Sequence, residues 1–487
     1  MRDMVVLLNL DNDVSCSVAK KLRSEHLYCK LLPGSATAEE VLSQEAMGVL
    51  LCGAGTGEPV QIPELSRLTR CGLPLLALGD AALTLCEHLG GTVTHESSAP
   101  AVRPVRFSGD GSLTRDVQDG ERYLPARCSL HLSGADAVTV ASTDTGAVGF
   151  RVLDRPIYGL AFEPEQNDPD GVQLLLNFCR HICGCTLWWS SQAFIARATQ
   201  EIERLADGGE AICAVSGGVD SAVCALLGNM ALGHRLHCIF VDTGLMRKGE
   251  GDRVMDYFQN QVGLNIRRIG ASAEFLAALR DTRTSGERQR AVFALLRSIL
   301  RREVGQLENV RLILQGTNYA DTLDSEPVCP LELTGAKTRI VEPVRELFKD
   351  EIRDVGQELQ LPAALCQRQP FPGSGLALRI TGEITRDRLQ LLREADAIFC
   401  QEIEASGQNK RLFQYYATLS GDPDTEAGFV VTLRAVQVVG GSSAIASRLP
   451  SDLLERVTER ILTALPEVRR VVYDLTPSRS FRTWRSA

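Results

Sequence analysis

Ser216-Gly217-Gly218-Val219-Asp220-Ser221 follows directly on the apolar run AICAV and leads into the helix-forming stretch AVCALLGNMAL. Two glycines at such a point let the backbone turn sharply, so that successive N–H groups face one concavity. A helix that starts there adds the positive end of its dipole. That combination is an anion site. Ser216 and Ser221 bring hydroxyl donors suited to phosphate oxygens, and Asp220 is placed to hold Mg2+. No lysine follows as it does in a G-x-x-x-x-G-K-[ST] loop, so this is a phosphate loop of another kind. The plain alternative is a strand-to-helix turn whose glycines serve only the backbone. Acidic residues at two further strand ends, Asp242 and Asp321, weigh against it.

The elements that must position these residues are legible as short apolar runs. VVLLNL, GVLLCG and LPLLALG, all within the first 180 residues, each enter a turn, as buried parallel strands of an α/β sheet do. Between Arg103 and Gly159 the runs shorten and are split by Gly, Asp and Ser, which predicts antiparallel strands. IYGLAF (Ile157–Phe162) reads as another buried strand, and a helix is expected over Gly171–His181. The HICGC segment after it marks a domain boundary. A second α/β unit opens with a helix from Ala193 through Leu205 and continues through the phosphate segment. Strands follow in HCIFVDTGLM and VRLILQGTNYADTL, with a charged helix at Glu287–Gln306 between them. Past Pro370 the strands QYYATL, FVVTLRAVQVV and RRVVYDL, with helices at Arg386–Ser406 and Asp452–Ala464, predict a separate α+β module.

The 487 residues carry 52 Lys+Arg against 61 Asp+Glu, a net charge of −9, with 44% hydrophobic and 23% charged residues. This is soluble, globular composition, long enough for several cores. The acidic balance argues against nucleic acid as a partner. No apolar run approaches the roughly 20 residues needed to span a bilayer, so no membrane role is expected. The opening MRDMVVLLNLDND is too short in its apolar core for a signal peptide. The 15 cysteines are scattered, odd in number and without CxxC pairs, which predicts reduced thiols and a cytoplasmic location. His181, Cys183 and Cys185 offer three ligands, one short of a closed tetrahedral site, and read as a packed linker.

SGGVDS resembles the pyrophosphate loop of the N-type ATP pyrophosphatases. FVDTGLMRKGE (Phe240–Glu250), QGTNYADTLDS (Gln315–Ser325), EPVRELFKDEIR (Glu342–Arg353), RQPFPGSGLALR (Arg368–Arg379) and RVVYD (Arg470–Asp474) extend the resemblance to the GMP synthetases over the whole chain. The resemblance implies an α/β protein of three domains. These are a class I glutamine amidotransferase-like α/β domain (1–185), an ATP pyrophosphatase domain with a parallel sheet of the adenine nucleotide alpha hydrolase-like kind (186–367), and a C-terminal α+β dimerisation-like domain (368–487). A homodimer follows from the last. It also implies a reaction in which ATP adenylates a purine carbonyl oxygen, pyrophosphate leaves, and ammonia displaces AMP. Ser216, Gly217, Gly218, Val219, Asp220 and Ser221 would hold the ATP phosphates, with Asp220 on Mg2+. Val241 and Asp242 would line the adenosine pocket, and Gly316 and Asp321 would complete the ATP site. Lys349 is a candidate phosphate contact, or else a solvated helix residue. Acceptor contacts are implied at Arg288, Gln289, Arg290, Arg368 and Arg479.

The chain departs from that family in two places. On the acceptor side, Gln289 replaces an arginine and Phe293 a glycine. The lid (Glu326–Arg339) is short and has no histidine, and the tail TPSRSFRTWRSA lacks the family's acidic partner. A nucleotide-like acceptor that is no longer, or not mainly, xanthosine monophosphate is therefore expected. In front, Gly79 stands at the position of the nucleophilic cysteine and Glu163 at that of the histidine base, which leaves Glu165 nothing to orient. Cys52-Gly-Ala-Gly55 replaces the oxyanion-hole Ser-Gly-Gly-Pro, and Cys86, two turns along the helix, reads as core. No glutaminase activity is expected, so that ammonia arrives free or from a separate donor protein. Two other readings stay open: sulfur insertion through Cys329 or Cys366, supplied by a sulfur donor protein, and an ATP-binding pseudoenzyme that acts as a scaffold.

Overall fold

Among the described residues, eleven strands form in the first part of the chain, the central ones from short buried runs of Val, Leu and Ile: β1 (Val5–Asn9), β2 (Cys29–Pro33), β3 (Gly48–Cys52), β4 (Leu75–Leu78), β5 (Thr92–Glu96), β6 (Ala101–Phe107), β7 (Gly120–Leu124), β8 (Arg127–His131), β9 (Ala137–Thr143), β10 (Gly146–Val152) and β11 (Ile157–Leu160). This is a computed structural model, and it describes residues 3–476 apart from 57, 97–100, 109–110, 125–126, 133–136, 165–168, 308, 324–337, 424–427 and 440–442. The chain divides into two compact units, Met1–Phe194 and Ile195–Ala487. No helix among the described residues is long and apolar enough to cross a membrane.

In the first unit nine strands make one sheet in the order β2-β1-β3-β4-β11-β10-β9-β6-β7, and β5 pairs with β8 separately. From β2 to β11 neighbours run parallel, and from β11 onward they run antiparallel. The parallel strands β3, β4 and β11 are buried along their whole length, as a sheet covered on both faces requires. Both the parallel runs and the antiparallel stretch are where the sequence predicts them. The helix expected over Gly171–His181 runs Pro169–Asn177 and continues as a π-helical turn, Phe178–Ile182.

The second unit contains β12 (Glu210–Ala214), β13 (Leu236–Asp242), β14 (Ile266–Gly270), β15 (Val310–Leu314) and β16 (Arg339–Val341), all parallel, in the order β14-β13-β12-β15-β16. The chain moves outward from β12 first in one direction and then in the other. The carboxyl end of β12 is therefore the switch point at which open α/β sheets leave a ligand crevice. Ser216–Gly218 lies there. Farther on, β17 (Gln414–Gly421) and β18 (Phe429–Val439) are antiparallel, while β19 (Ser443–Ala446) and β20 (Val468–Tyr473) share the other edge of β18. Leu392 and Phe399 from the Arg386–Ala405 helix, and Val457 and Ile461 from the Ser451–Ala464 helix, are buried in one core with Leu419, Val431 and Leu433 of this sheet. That core is continuous with Ile212 and Ile239 of the parallel sheet.

Candidate functional site

The phosphate segment joins the end of β12 to the helix Val219–Leu232. Gly217 sits at φ +81, and a Cβ there would come within 2.8 Å of the Val254 Cγ2. Gly218 is the N-cap, its own N–H donates to Ser216 Oγ at 3.3 Å, and no side chain caps the first N–H groups of the helix, which leaves them to an anion. The Ser216 and Ser221 hydroxyls lie 3.0 Å apart. Ser221 Oγ also accepts from the Ser216 N–H at 3.1 Å and donates to the Gly218 carbonyl at 3.0 Å. Gly316, just past β15, makes room for this turn. A Cβ on it would fall 2.8 Å from the Ser221 nitrogen.

Asp220 lies at the start of the same helix, and its two oxygens differ. Oδ2 accepts from Lys349 Nζ at 2.5 Å and from Asn318 Nδ2 at 3.4 Å, whereas Oδ1 is buried with no hydrogen-bond partner. A buried carboxylate oxygen left bare costs free energy unless something positive meets it. That fits a divalent cation held by one carboxylate together with phosphate and water oxygens, the usual arrangement for Mg2+. Among the described residues no group of three or more His, Cys, Asp or Glu could bind a metal unaided. Lys349 opens the Lys349–Glu358 helix with its side chain 43% exposed, so its ammonium stands at the mouth of the loop. Asp321 meets Asn318, the residue that also donates to Asp220. It accepts from the Asn318 N–H at 2.9 Å, while Asn318 Oδ1 takes the Ala320 N–H at 2.8 Å, which fixes the turn that carries Asn318.

At the end of β13, Val241 is buried. The Asp242 carboxylate accepts from the Gly244 N–H at 3.0 Å and pairs with Arg268. The acceptor-side residues divide. Arg288 is 4% exposed, and its terminal nitrogens donate to the carbonyls of Ala377, Ile380 and Gly382. Gln289 is half-buried, Arg290 is exposed, and the Phe293 ring fills the space that a side chain at Gly373 would need. Arg368 is turned toward the phosphate loop. Cys366 is 1% exposed, donates to the Leu361 carbonyl at 3.6 Å, and has its thiol pKa raised by burial. Arg479, Cys329 and most of the lid lie outside the described residues, as does Glu165.

In the first unit Gly79 follows β4 with φ +56 and ψ −130, the strained strand-to-helix turn that presents a nucleophile. The conformation is kept but the space is closed. A Cβ on Gly79 would lie 2.6 Å from the Gly53 carbonyl oxygen and 2.7 Å from that of Ala54. The Asp80 N–H, which at such a turn would face an oxyanion, donates to the Ala54 carbonyl at 2.7 Å. Asp80 Oδ2 accepts from the Thr56 N–H at 2.9 Å and from its hydroxyl at 2.7 Å, pinning the 53–56 loop over the turn. Glu163 is buried, and Cys86 is fully buried in the core of this unit.

Residues 401–480 match the family described as the GMP synthase C terminal domain. Over 97% of the chain and 98% of its relative, the sequence is 33% identical to a GMP synthase [glutamine-hydrolyzing] of Caldicellulosiruptor saccharolyticus. The chain belongs to the GMP synthase family. A second such enzyme, from Carboxydothermus hydrogenoformans, is 32% identical over 98% of each chain, and one from Chlorobium luteolum is 33% identical over 97% of this chain and 98% of its own. A solved structure described as a GMP synthase subunit, from Thermoplasma acidophilum, covers 38% of the chain and 95% of its own length at 19% identity with a TM-score of 0.33, too slight a likeness to bear on the fold.

Within this GMP synthase family member, the loop residues Ser216–Ser221 converge with Gly316 and Lys349, as the sequence motifs imply. Arg288 does not join a cleft, because its donors hold a loop together. Asn318, Glu250 and the Thr56–Asp80 lock carry no motif of their own. Asn318 lies within QGTNYADTLDS and Glu250 ends FVDTGLMRKGE, but nothing in their spacing tells which side chain or backbone group each meets.

Proposed function

We propose that this chain is a Mg-ATP-dependent ligase of GMP-synthase type that adenylates a carbonyl of a nucleotide-like acceptor and aminates it with free or partner-supplied ammonia. On this reading it has no glutaminase activity, and xanthosine monophosphate is not its main acceptor. The observation that carries it is the contrast between two turns. The Ser216–Ser221 turn keeps uncapped helix N–H groups and a bare Asp220 oxygen, while the Gly79 turn is closed by the Ala54 carbonyl.

In this account the acceptor's carbonyl oxygen attacks the α-phosphorus of ATP, and the bond to the β-phosphate oxygen breaks. Pyrophosphate departs and an adenylated acceptor remains. Loop N–H groups and the serine hydroxyls bind the phosphates, and Lys349, paired with Asp220, brings its ammonium to their mouth. Asp220 would hold Mg2+, which would supply neutralising charge for the leaving group. Ammonia then adds to the activated carbon, AMP leaves with the original carbonyl oxygen, and the nitrogen loses its extra protons to water. Val241 and Asp242 border the adenosine, with Gly316 and Asp321 shaping the floor. The proposal includes three domains at 1–185, 186–367 and 368–487, a homodimer formed through the last, and a cytoplasmic setting.

Phe293 against Gly373 and the structural role of Arg288 support a changed acceptor site. The buried Cys366 favours amination over sulfur insertion, which needs an accessible thiolate. The test is acceptor-dependent pyrophosphate release across a panel of purine and deazapurine nucleotides with ammonium present. Release with one of them supports the ligase. A chain that binds Mg-ATP yet releases none with any acceptor would support the scaffold reading instead.

A further inference from the structure

Arg368 bonds a backbone atom of the phosphate loop itself. Its Nη1 donates to the Gly217 carbonyl at 2.8 Å, and its Nη2 pairs with Glu250 Oε1 at 2.6 Å. Both side chains are largely buried, at 16% and 10% exposure. Glu250 is held in turn, because its Oε2 accepts from the Arg247 N–H at 3.3 Å. The guanidinium also lies 5.2 Å from the centre of the Phe371 ring, which fixes its plane. The segment that carries Arg368 is fastened to β17: the Tyr415 N–H donates to Gln369 Oε1 and Gln414 Nε2 to the Pro370 carbonyl, each at 2.8 Å.

A trans peptide is planar, so the Gly217 carbonyl and the Gly218 N–H belong to one rigid unit and point in opposite directions. On its N–H side the plane is held only by a long bond, Gly218 N–H to Ser216 Oγ at 3.3 Å, which a phosphate oxygen can replace, and Gly217 at φ +81 does little to fix it because glycine tolerates many orientations. Arg368 on the carbonyl therefore sets the aim of the Gly218 N–H at the helix N-terminus. Val254, in the helix that Glu250 begins, and Arg368 Nη1 both lie where a Cβ on Gly217 would project, so no side chain fits there. A lysine could meet either Gly217 or Glu250 but lacks the planar fork that meets both.

We propose that Arg368, locked by Glu250, is a positioning residue that orients the Gly217–Gly218 peptide for the ATP phosphates, rather than a contact to the acceptor. The inference rests on the reading of Ser216–Ser221 as the ATP phosphate site. It makes the anchorage of Gln369 and Pro370 on the C-terminal sheet part of the phosphate site's geometry.

The experiment is equilibrium titration of the full-length chain with Mg-ATP and, separately, with AMP, for the unmodified protein, Arg368→Lys and the near-isosteric Glu250→Gln, with unfolding midpoints measured alongside. Steady-state KM for any acceptor found active is read on the same three proteins. Both variants are expected to weaken Mg-ATP by roughly ten- to a hundredfold, the worth of a charged hydrogen bond. AMP affinity and acceptor KM are expected to stay unchanged. Mg-ATP affinity equal to that of the unmodified protein in Glu250→Gln and Arg368→Lys would overturn the proposal. So would an equal loss for AMP, or a rise in acceptor KM with Mg-ATP binding intact. Failure of the unmodified protein to bind Mg-ATP would overturn this proposal and the ATP reading together.

Discussion

The backbone N–H of Asp80 donates to the carbonyl oxygen of Ala54 at 2.7 Å, across the turn where a glutaminase would need that N–H for an oxyanion. On the proposed reading, the block to glutamine chemistry lies in the backbone as well as in the side chains at 79 and 163. Restoring the two side chains should not restore activity. Gly79→Cys with Glu163→His is expected to release no glutamate above background, because the new Cβ collides with the Gly53 and Ala54 carbonyls. The single change Gly79→Cys should also lower stability by about 1–3 kcal/mol through strain at positive φ. Glutamate release and a urea unfolding curve check both. Recovery of glutaminase in the double variant would show that the 53–56 loop opens readily.

Asp220→Asn should abolish acceptor-dependent pyrophosphate release, with a loss of about 100-fold or more, as for removal of one preorganised electrostatic group at a leaving anion. The change is isosteric and keeps a partner for Asn318, so the fold should tolerate it. Pyrophosphate release in the variant close to that of the unmodified protein would remove Asp220 from the metal site.

Arg288→Ala should act on stability. Its loss leaves the Ala377, Ile380 and Gly382 carbonyls without their donors, at a cost of about 2–4 kcal/mol. The urea midpoint is expected to fall. An unchanged midpoint with a raised acceptor KM would return Arg288 to the acceptor site.

Much of this was legible in the sequence, and the exceptions have a physical pattern. β12, β13 and β15 are central strands, and their apolar runs identify them. The strands the runs do not reveal, β2, β14 and β16, are the sheet edges. β14 carries Arg267 and Arg268 with exposed side chains, because an edge strand need not bury both faces. The phosphate loop was readable because glycine spacing dictates its backbone. The role of Arg288 was not, since a basic residue beside a predicted cleft looks the same whether it meets a ligand or three carbonyls. The Asp80–Ala54 bond was equally invisible, being a backbone contact between β3's loop and β4's turn, 26 residues apart.

Side-by-side assay with a glutamine-hydrolysing GMP synthase should show poor use of xanthosine monophosphate with ammonia. A deficit in kcat/KM of more than about tenfold is expected, the scale set by losing one or two pocket contacts. Phe293→Ala, which reopens the space beside Gly373, should recover part of it. Parity between the two unmodified enzymes would mean that the altered residues leave the acceptor site functional.

Cys366→Ser should leave ammonia-dependent turnover intact, as expected of a thiol 1% exposed whose burial disfavours the thiolate. Loss of product with adenylation retained would point to sulfur chemistry.

The central claim is that an intact ATP pyrophosphatase works here without its own glutaminase. It is tested most directly by measuring AMP and pyrophosphate release with Mg-ATP and the acceptor panel, once with ammonium and once with glutamine as the only nitrogen source. The account predicts acceptor-dependent, stoichiometric AMP and aminated product with ammonium, and neither aminated product nor glutamate with glutamine. Aminated product formed equally well from glutamine by the purified chain would contradict it.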